Sequence, residues 1–463
     1  MASKRASDLE AMIEEATVDA DSDDEQLTVP ETVRLTATPA QADLHAVLQL
    51  TASGRLRCSE TTRRPAAATV AAVTEVLEGG DFYPAEPIAA FAWPLLLQAG
   101  GLAELAGGRL RLTDRGRTAL AQPPAATIRK LWRSWISTTV IDEFNRVEHI
   151  KGQRAANVLT SVKTRRKAVV NALEGCPRDE WIAIDALFNM MCRRRETSPT
   201  IARSERGLWK LYLIDPQYGS LGYTGFADWA LLEGRYTLAV LFEYAATLGL
   251  VDVEYTDPAG ARTDYHANWG ADYLDYLSRY DGLLAVRLNP LGAYALGLAD
   301  DYQPPAKSSP PEQSLKILPN LDIVAVGDIS PTDRLVLDAH AKHTSDRVWT
   351  VNAETLLDAV DAGRQLDQLT DFLKDRATHD LPEALTTLVT DVTARASKVR
   401  DRGVVRLIEC ADAPLATLIA RDGKLRGLCT LVGDRHLAVP VEHETQFRRA
   451  LRTLGHTVTA PAE

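Results

Sequence analysis

The chain has only five cysteines in 463 residues, and none stands in a C-x-x-C pair: Cys58, Cys176, Cys192, Cys410 and Cys429 are scattered. An odd, dispersed set argues against a disulfide framework and a zinc site, and for a reducing cytoplasm. No apolar run approaches the roughly 18–20 residues of a membrane span. The N-terminus is acidic and lacks the apolar stretch of a signal peptide. No G-x-x-x-x-G-K-(S/T) loop is present to cradle phosphates, and Asp422-Gly423-Lys424 lacks both the loop and the hydroxyl. Asp23-Asp24-Glu25-Gln26 imitates an acidic box but follows no apolar strand that could present it to magnesium. G-x-S-x-G, H-E-x-x-H and G-x-G-x-x-G are likewise missing. His340 and His343, read as sharing a helix, come nearest to a ligand pair and are expected at the surface. No carboxylate pair stands out, so no catalytic residue, metal ligand or cofactor site is expected.

What is present is an ordinary globular balance, with 45% hydrophobic and 25% charged residues, enough chain for two to four domains. The net charge of −11 hides a segregation. Residues 1–32 carry two cations against ten carboxylates and read as a solvated acidic tail, or as a decoy competing for a basic surface. Residues 127–210 hold seventeen Lys and Arg against nine Asp and Glu, net +8, and residues 211–310 are net −8. One segment could therefore hold a polyanion although the whole chain should not.

Residues 33–126 read as helices closed by a hairpin. Leu44, Val47, Leu48 and Leu50 mark one helix, and Pro65 stands where a second would start. Leu102–Leu105 and Arg109–Leu112 flank a Gly107-Gly108 turn, and Thr113 caps a closing helix. The same ending returns at Gly249-Leu250 and at Arg287-Leu288-Asn289, again with glycine (Gly292, like Gly116) at the fourth position of the last helix. The expected class is α+β: tandem winged helices, mostly α with β-hairpin wings, over 33–126 and 127–300, then a linker at 301–317 and a C-terminal α+β domain over 318–463.

The positive signal for a site is cationic, because a protein that neutralises phosphates needs several Lys and Arg on one face. Arg63 and Arg64 precede the expected Pro65 helix, and Arg109 and Arg111 flank the first hairpin, where a wing makes contact. In the basic segment Lys163, Arg165, Arg166 and Lys167 open one helix, and Arg193, Arg194 and Arg195 end another. The three consecutive arginines fan over about 200° of a helix and cannot share one groove. The tryptophans, including Trp132, Trp135, Trp209 and Trp269, read as core rather than base-stacking residues.

Leu318-Pro319-Asn320-Leu321-Asp322-Ile323-Val324-Ala325-Val326 and the run Val348–Gly363 resemble the helicase-associated domain at the N-terminus of bacterial XPB-type DNA repair helicases. The usual form there is a Q-P-D-hydrophobic strand, a helix, a strand, then T-x-x-S-(I/L)-x-x-A-hydrophobic-x-x-G. Leu381-Pro382 matches the (L/I)-P of the following helix, while Asn320-Leu321-Asp322 replaces Gln-Pro-Asp. Upstream, Leu288–Tyr294 resembles the ending of actinobacterial helicase-associated proteins. The resemblance is specific over 318–384 and looser over 127–300. It implies a non-catalytic DNA-binding protein of repair or defence, gripping duplex or junction DNA beside a separate helicase or nuclease, in the cytoplasm on the nucleoid. The alternative is an adaptor that recruits such an enzyme without touching DNA, since winged helices also bind proteins. An enzyme assembled from scattered residues is the third expectation.

Overall fold

The computed structural model describes residues 31–225, 228–304, 313–396, 398–399 and 403–459. The acidic tail before residue 31 and positions 305–312 of the expected linker lie outside them. The chain divides into two compact units, one ending at Leu388 and one beginning at Val389.

The first unit opens with β1 (Thr32–Arg34) and α1 (Ala37–Ala52), followed by α2 (Ala67–Thr74) and α3 (Ala89–Ala99). Helix α2 starts two residues beyond Pro65, whose backbone pairs with Cys58 instead of opening the helix. The α3 sequence Ala-Ala-Phe-Ala-Trp-Pro-Leu-Leu-Leu is apolar all round, so the helix is buried all round. Its unpaired first-turn donors are met by the Asp81 carboxylate, which accepts from the N–H groups of Ile88, Ala89 and Ala90 at 2.7–3.1 Å. The hairpin β2 (Ala103–Ala106) and β3 (Arg109–Leu112) turns on Gly107 and Gly108, both at positive φ, as a two-residue turn of matching twist requires. Then come α4 (Asp114–Leu120) and α5 (Pro124–Ser137).

The order repeats. After β4 (Ile150–Lys151) come α6 (Val162–Glu174), β5 (Trp181–Ala183), α7 (Ile184–Cys192) and β6 (Tyr212–Leu213). A long helix, α8, covers residues 230–246, and its Ala230–Gly234 and Val240–Ala246 stretches are π-helical. The hairpin β7 (Val251–Tyr255) and β8 (Leu283–Leu288) and the helix α9 (Pro290–Leu296) close it. Strands run β1-β7-β8-β5, all antiparallel, so the N-terminal β1 edges the second sheet.

The two endings agree atom by atom. Thr113 and Asn289 each cap the closing helix by accepting from the N–H three residues on, Gly116 at 3.2 Å and Gly292 at 2.9 Å. A side chain on Gly116 would begin 2.1 Å from the Leu102 carbonyl oxygen, and one on Gly292 would begin 2.0 Å from that of Leu250. One continuous core from Leu44 to Ala295 fills both halves. Trp132 stacks on Trp135 and Trp135 on Tyr244, while Phe82 meets Phe242 edge-on.

Still in the first unit, β9 (Leu315–Ile317), β10 (Asp322–Ala325), α10 (Pro331–His340), β11 (Lys342–Ser345) and β12 (Val348–Thr350) lead to α11 (Ala353–Asp361) and α12 (Leu366–Arg376). The sheet order is β11-β12-β10-β9. His340 and His343 do not share a helix. His340 ends α10, 3% exposed, with Nδ1 against the Val336 carbonyl, and His343 lies on β11. Helix α13 (Glu383–Ala396) contains the division. Beyond it, β13 (Val405–Glu409), α14 (Ala413–Arg421), β14 (Thr430–Val432), β15 (His436–Pro440) and α15 (Glu444–Thr453) surround a small core of Ile419, Leu425, Leu437, Val439 and Phe447. The architecture is α+β, built from small antiparallel sheets and helices.

Candidate nucleic-acid interface

The first hairpin carries a third strand. Cys58 donates its N–H to the Gly108 carbonyl at 3.0 Å and Leu110 donates to Leu56 at 2.9 Å, so Arg57 sits directly across from Arg109. Side chains on a strand alternate between faces. Leu56, Cys58, Leu110 and Leu112 point into the core, and Arg55, Arg57, Arg109 and Arg111 point to solvent. Glu104, opposite Arg111, is the nearest carboxylate on that face by register. Arg63 and Arg64 follow on the turn out of this strand. The turn is closed by Ser59 N–H to the Arg64 carbonyl at 2.9 Å, and the Gln98 amide holds the Arg63 carbonyl at 3.0 Å. Among the described residues none of these six arginines forms an ion pair, and like charges facing each other across strands repel. The structure thus brings Arg109 and Arg111 together with Arg55 and Arg57, which no charge run singles out. Alternation in Arg55-Leu56-Arg57-Cys58 is the signal that marks them.

The basic segment divides. Lys163 and Lys167, one turn apart on α6, are exposed. Arg165 and Arg166 are not available to phosphate, which corrects the expectation for them. Both are at most 1% exposed. Arg165 grips Asp142 in a fork at 3.0 and 2.6 Å. Arg166 bonds Glu143 at 2.9 and 2.6 Å and donates to the carbonyls of Trp135, Thr138 and Ile141. Burial raises the Glu143 carboxyl even though Arg166 opposes the shift. These pairs tie α6 to the 3-10 turn Glu143–Arg146. Arg193 sits at the C-cap of α7, and Arg194 and Arg195 lie past its end, all exposed and unpaired among the described residues.

Three further guanidiniums converge where α9 ends, and the sequence gives no hint of their meeting. Arg129 lies 4.5 Å over the Tyr294 ring, and Arg129 and Arg133 each approach within 3.8 Å of where a Gly297 side chain would start. Arg178 donates to the Leu298 carbonyl at 2.6 Å, a favourable placement for a cation at a helix C-terminus.

Both third helices are withdrawn from solvent. Every residue from Ala89 to Leu97 except Phe91 is buried, as is every residue of α8 from Arg235 to Ala246. Neither can lie in a groove. Trp132 and Trp135 are core, as expected, but Trp209 and Trp269 stand 44% and 56% exposed. Among the described residues there is no group of three or more metal-ligating side chains, and no helix is long and apolar enough to cross a membrane.

Residues 316–432, about a quarter of the chain, match the helicase conserved C-terminal domain. The match runs from β9 to the end of β14, so that region is similar to a helicase-associated domain. No curated protein matches the chain.

Proposed function

We propose that this is a non-catalytic DNA-binding protein that works beside a separate helicase, holding duplex DNA through two winged helices by their wings rather than by their third helices. The observation that carries the reading is the solvent face of the first hairpin sheet. Arg57 and Arg109 oppose each other there, with no ion pair to either among the described residues, an arrangement that lowers stability unless a polyanion covers it. The order helix, strand, helix, helix, hairpin, found twice, supports the winged-helix reading. The helicase-type match at 316–432 supports work with a helicase in repair or defence. The likeness of that region to the N-terminal domain of XPB-type helicases belongs to the same proposal, as does a place on the nucleoid.

The test is fluorescence anisotropy of a 20-base-pair duplex against the full chain and against an R57A/R109A/R111A variant. Affinity should fall steeply between 50 and 200 mM salt, and the variant should bind at least 10-fold more weakly, with a salt slope smaller by roughly one for each phosphate no longer neutralised. Its thermal stability should hold or rise slightly, because the repulsion is gone. No duplex binding by the native chain at 50 mM salt would sink the reading. The burial of both third helices favours a second reading, the adaptor, in which the exposed faces hold a protein. That reading predicts a helicase or nuclease partner that stays bound after nuclease treatment.

A further inference from the structure

We infer that Trp209 and Tyr223 form a stacking platform for unpaired nucleotides, with the phosphates running along Arg154, Arg203, Arg206 and Lys210. The inference rests on the nucleic-acid reading but uses none of the residues of the arginine face.

The platform is assembled within one stretch of chain, residues 209–223. A side chain on Gly222 would begin 2.2 Å from the Trp209 indole, so the ring lies flat on a glycine. Tyr223 meets that indole edge-on, with centroids 4.9 Å apart. The Ser220 hydroxyl fixes the Trp209 carbonyl at 3.0 Å. Both rings remain largely open, Trp209 at 44% and Tyr223 at 65% exposure. Rings of this size normally bury most of their surface.

The surroundings are cationic. Lys151 on β4 pairs with Tyr212 on β6, and a side chain on Gly152 would begin 1.8 Å from the Lys210 carbonyl oxygen. Residues 151–157 and 203–212 therefore make one surface. Arg203 bonds the Asn157 amide oxygen at 3.1 Å, and Lys210 reaches the Ala156 carbonyl at 3.5 Å. Arg154, Arg203, Arg206 and Lys210 are exposed, and none forms an ion pair among the described residues. Glu205 is the one carboxylate in the two segments. An aromatic face beside a row of cations is what single strands need: any base can stack, and the backbone is neutralised without sequence readout.

The far end of the same loop marks a limit. Tyr218 and Trp269 form a second exposed pair 5.5 Å apart, but Asp215, Asp272 and Asp275 stand on their segments. Carboxylates repel phosphate, so the strand is confined to the Trp209 end.

The experiment uses the full chain with two probes, a fluorescent 15-nucleotide oligo-dT and the 20-base-pair duplex, at 50 mM salt. Trp209→Ala should weaken oligo-dT binding about 10-fold or more and leave duplex binding unchanged, which also shows that the variant is folded. Trp209→Phe should retain most of the affinity, and Lys210→Glu should reduce the salt slope for oligo-dT by about one or more. Native chain that binds duplex but not oligo-dT, or a Trp209→Ala variant that binds oligo-dT like the native chain, overturns the platform alone. Binding of neither probe overturns the DNA reading itself. A Trp209-dependent interaction with an alternating proline–arginine peptide in place of oligo-dT would assign the platform to a protein and also overturn the inference.

Discussion

Single arginines fall into two populations according to what faces them. Arg165, Arg166 and Arg235 are buried against carboxylates, where each charge offsets the desolvation of the other. Arg55, Arg57, Arg109 and Arg111 are exposed, and Arg57 faces Arg109. A buried carboxylate whose burial outweighs the pull of a nearby cation, as with Asp43 beside Arg34, behaves differently. Asp43 on α1 is 5% exposed and accepts the Glu78 N–H at 2.6 Å. Burial pushes its carboxyl up to about 7. The folded chain therefore holds this proton more tightly than the unfolded chain does. The stability it contributes is full below the ordinary carboxylate range and is lost as pH rises through about 7. Asp43→Asn keeps the acceptor and carries no charge. Its stabilising effect should be larger at pH 8 than at pH 5 by about 2 kcal/mol, measured by urea unfolding at both pH values. An equal effect at both would show that Asp43 does not titrate in this way. The two arginine populations are only partly legible in the sequence. Arg166 lies three, four and seven residues before Val169, Val170 and Leu173, so it shares their buried stripe. The charge run around it suggests a surface, and its partner Glu143 is 23 residues away.

At the scale of elements, the repeat is legible because its signals are local. A Gly-Gly turn, a capping Thr or Asn, and a glycine three residues later each act within a few positions. Of the strands that the sequence does not reveal, β1 depends on β7 more than 200 residues on, the two-residue β4 and β6 depend on each other about 60 residues apart, and β9 falls in the stretch read as a linker. β11 is exposed throughout and has no apolar face to announce it. The repeated glycines make a sharp prediction. The carbonyl of Leu102 or Leu250 fills the space a methyl group would need, and that carbonyl also accepts the N–H of the cap residue, Thr113 at 3.0 Å or Asn289 at 3.4 Å. Gly116→Ala and Gly292→Ala should each destabilise by about 1–3 kcal/mol or more, although alanine is the better helix former. At Gly423, where a side chain would meet nothing within 4 Å, the same change should have little effect. Thermal unfolding of the three variants compares them directly, and a melting temperature for Gly116→Ala and Gly292→Ala equal to that of Gly423→Ala would refute the steric requirement at the two endings.

Across the first unit, the two repeats share one core, and in the winged-helix reading the third helices that would meet a groove lie inside it. Helices α3 and α8 lie in the shared core and touch each other there, and α8 is also packed by Phe82 against Phe242 and by Trp135 of α5 against Tyr244. Sequence specificity requires side chains at base edges, and a third helix in the major groove is the usual way a winged helix supplies them. With both helices inside, the DNA reading rests on arginine on a hairpin face and cations on loops, which would neutralise phosphate and carry no base readout. The DNA reading then has a quantitative consequence for the whole molecule. Unrelated 20-base-pair duplexes should bind with affinities within a few-fold of one another at fixed salt, while affinity for any one of them falls with a log–log salt slope of roughly −3 to −5, corresponding to about four to six released counterions. A selection from random duplexes should return no motif. Strong enrichment of one sequence would mean that a base-reading element lies exposed, which is incompatible with a core that holds α3 and α8 as described.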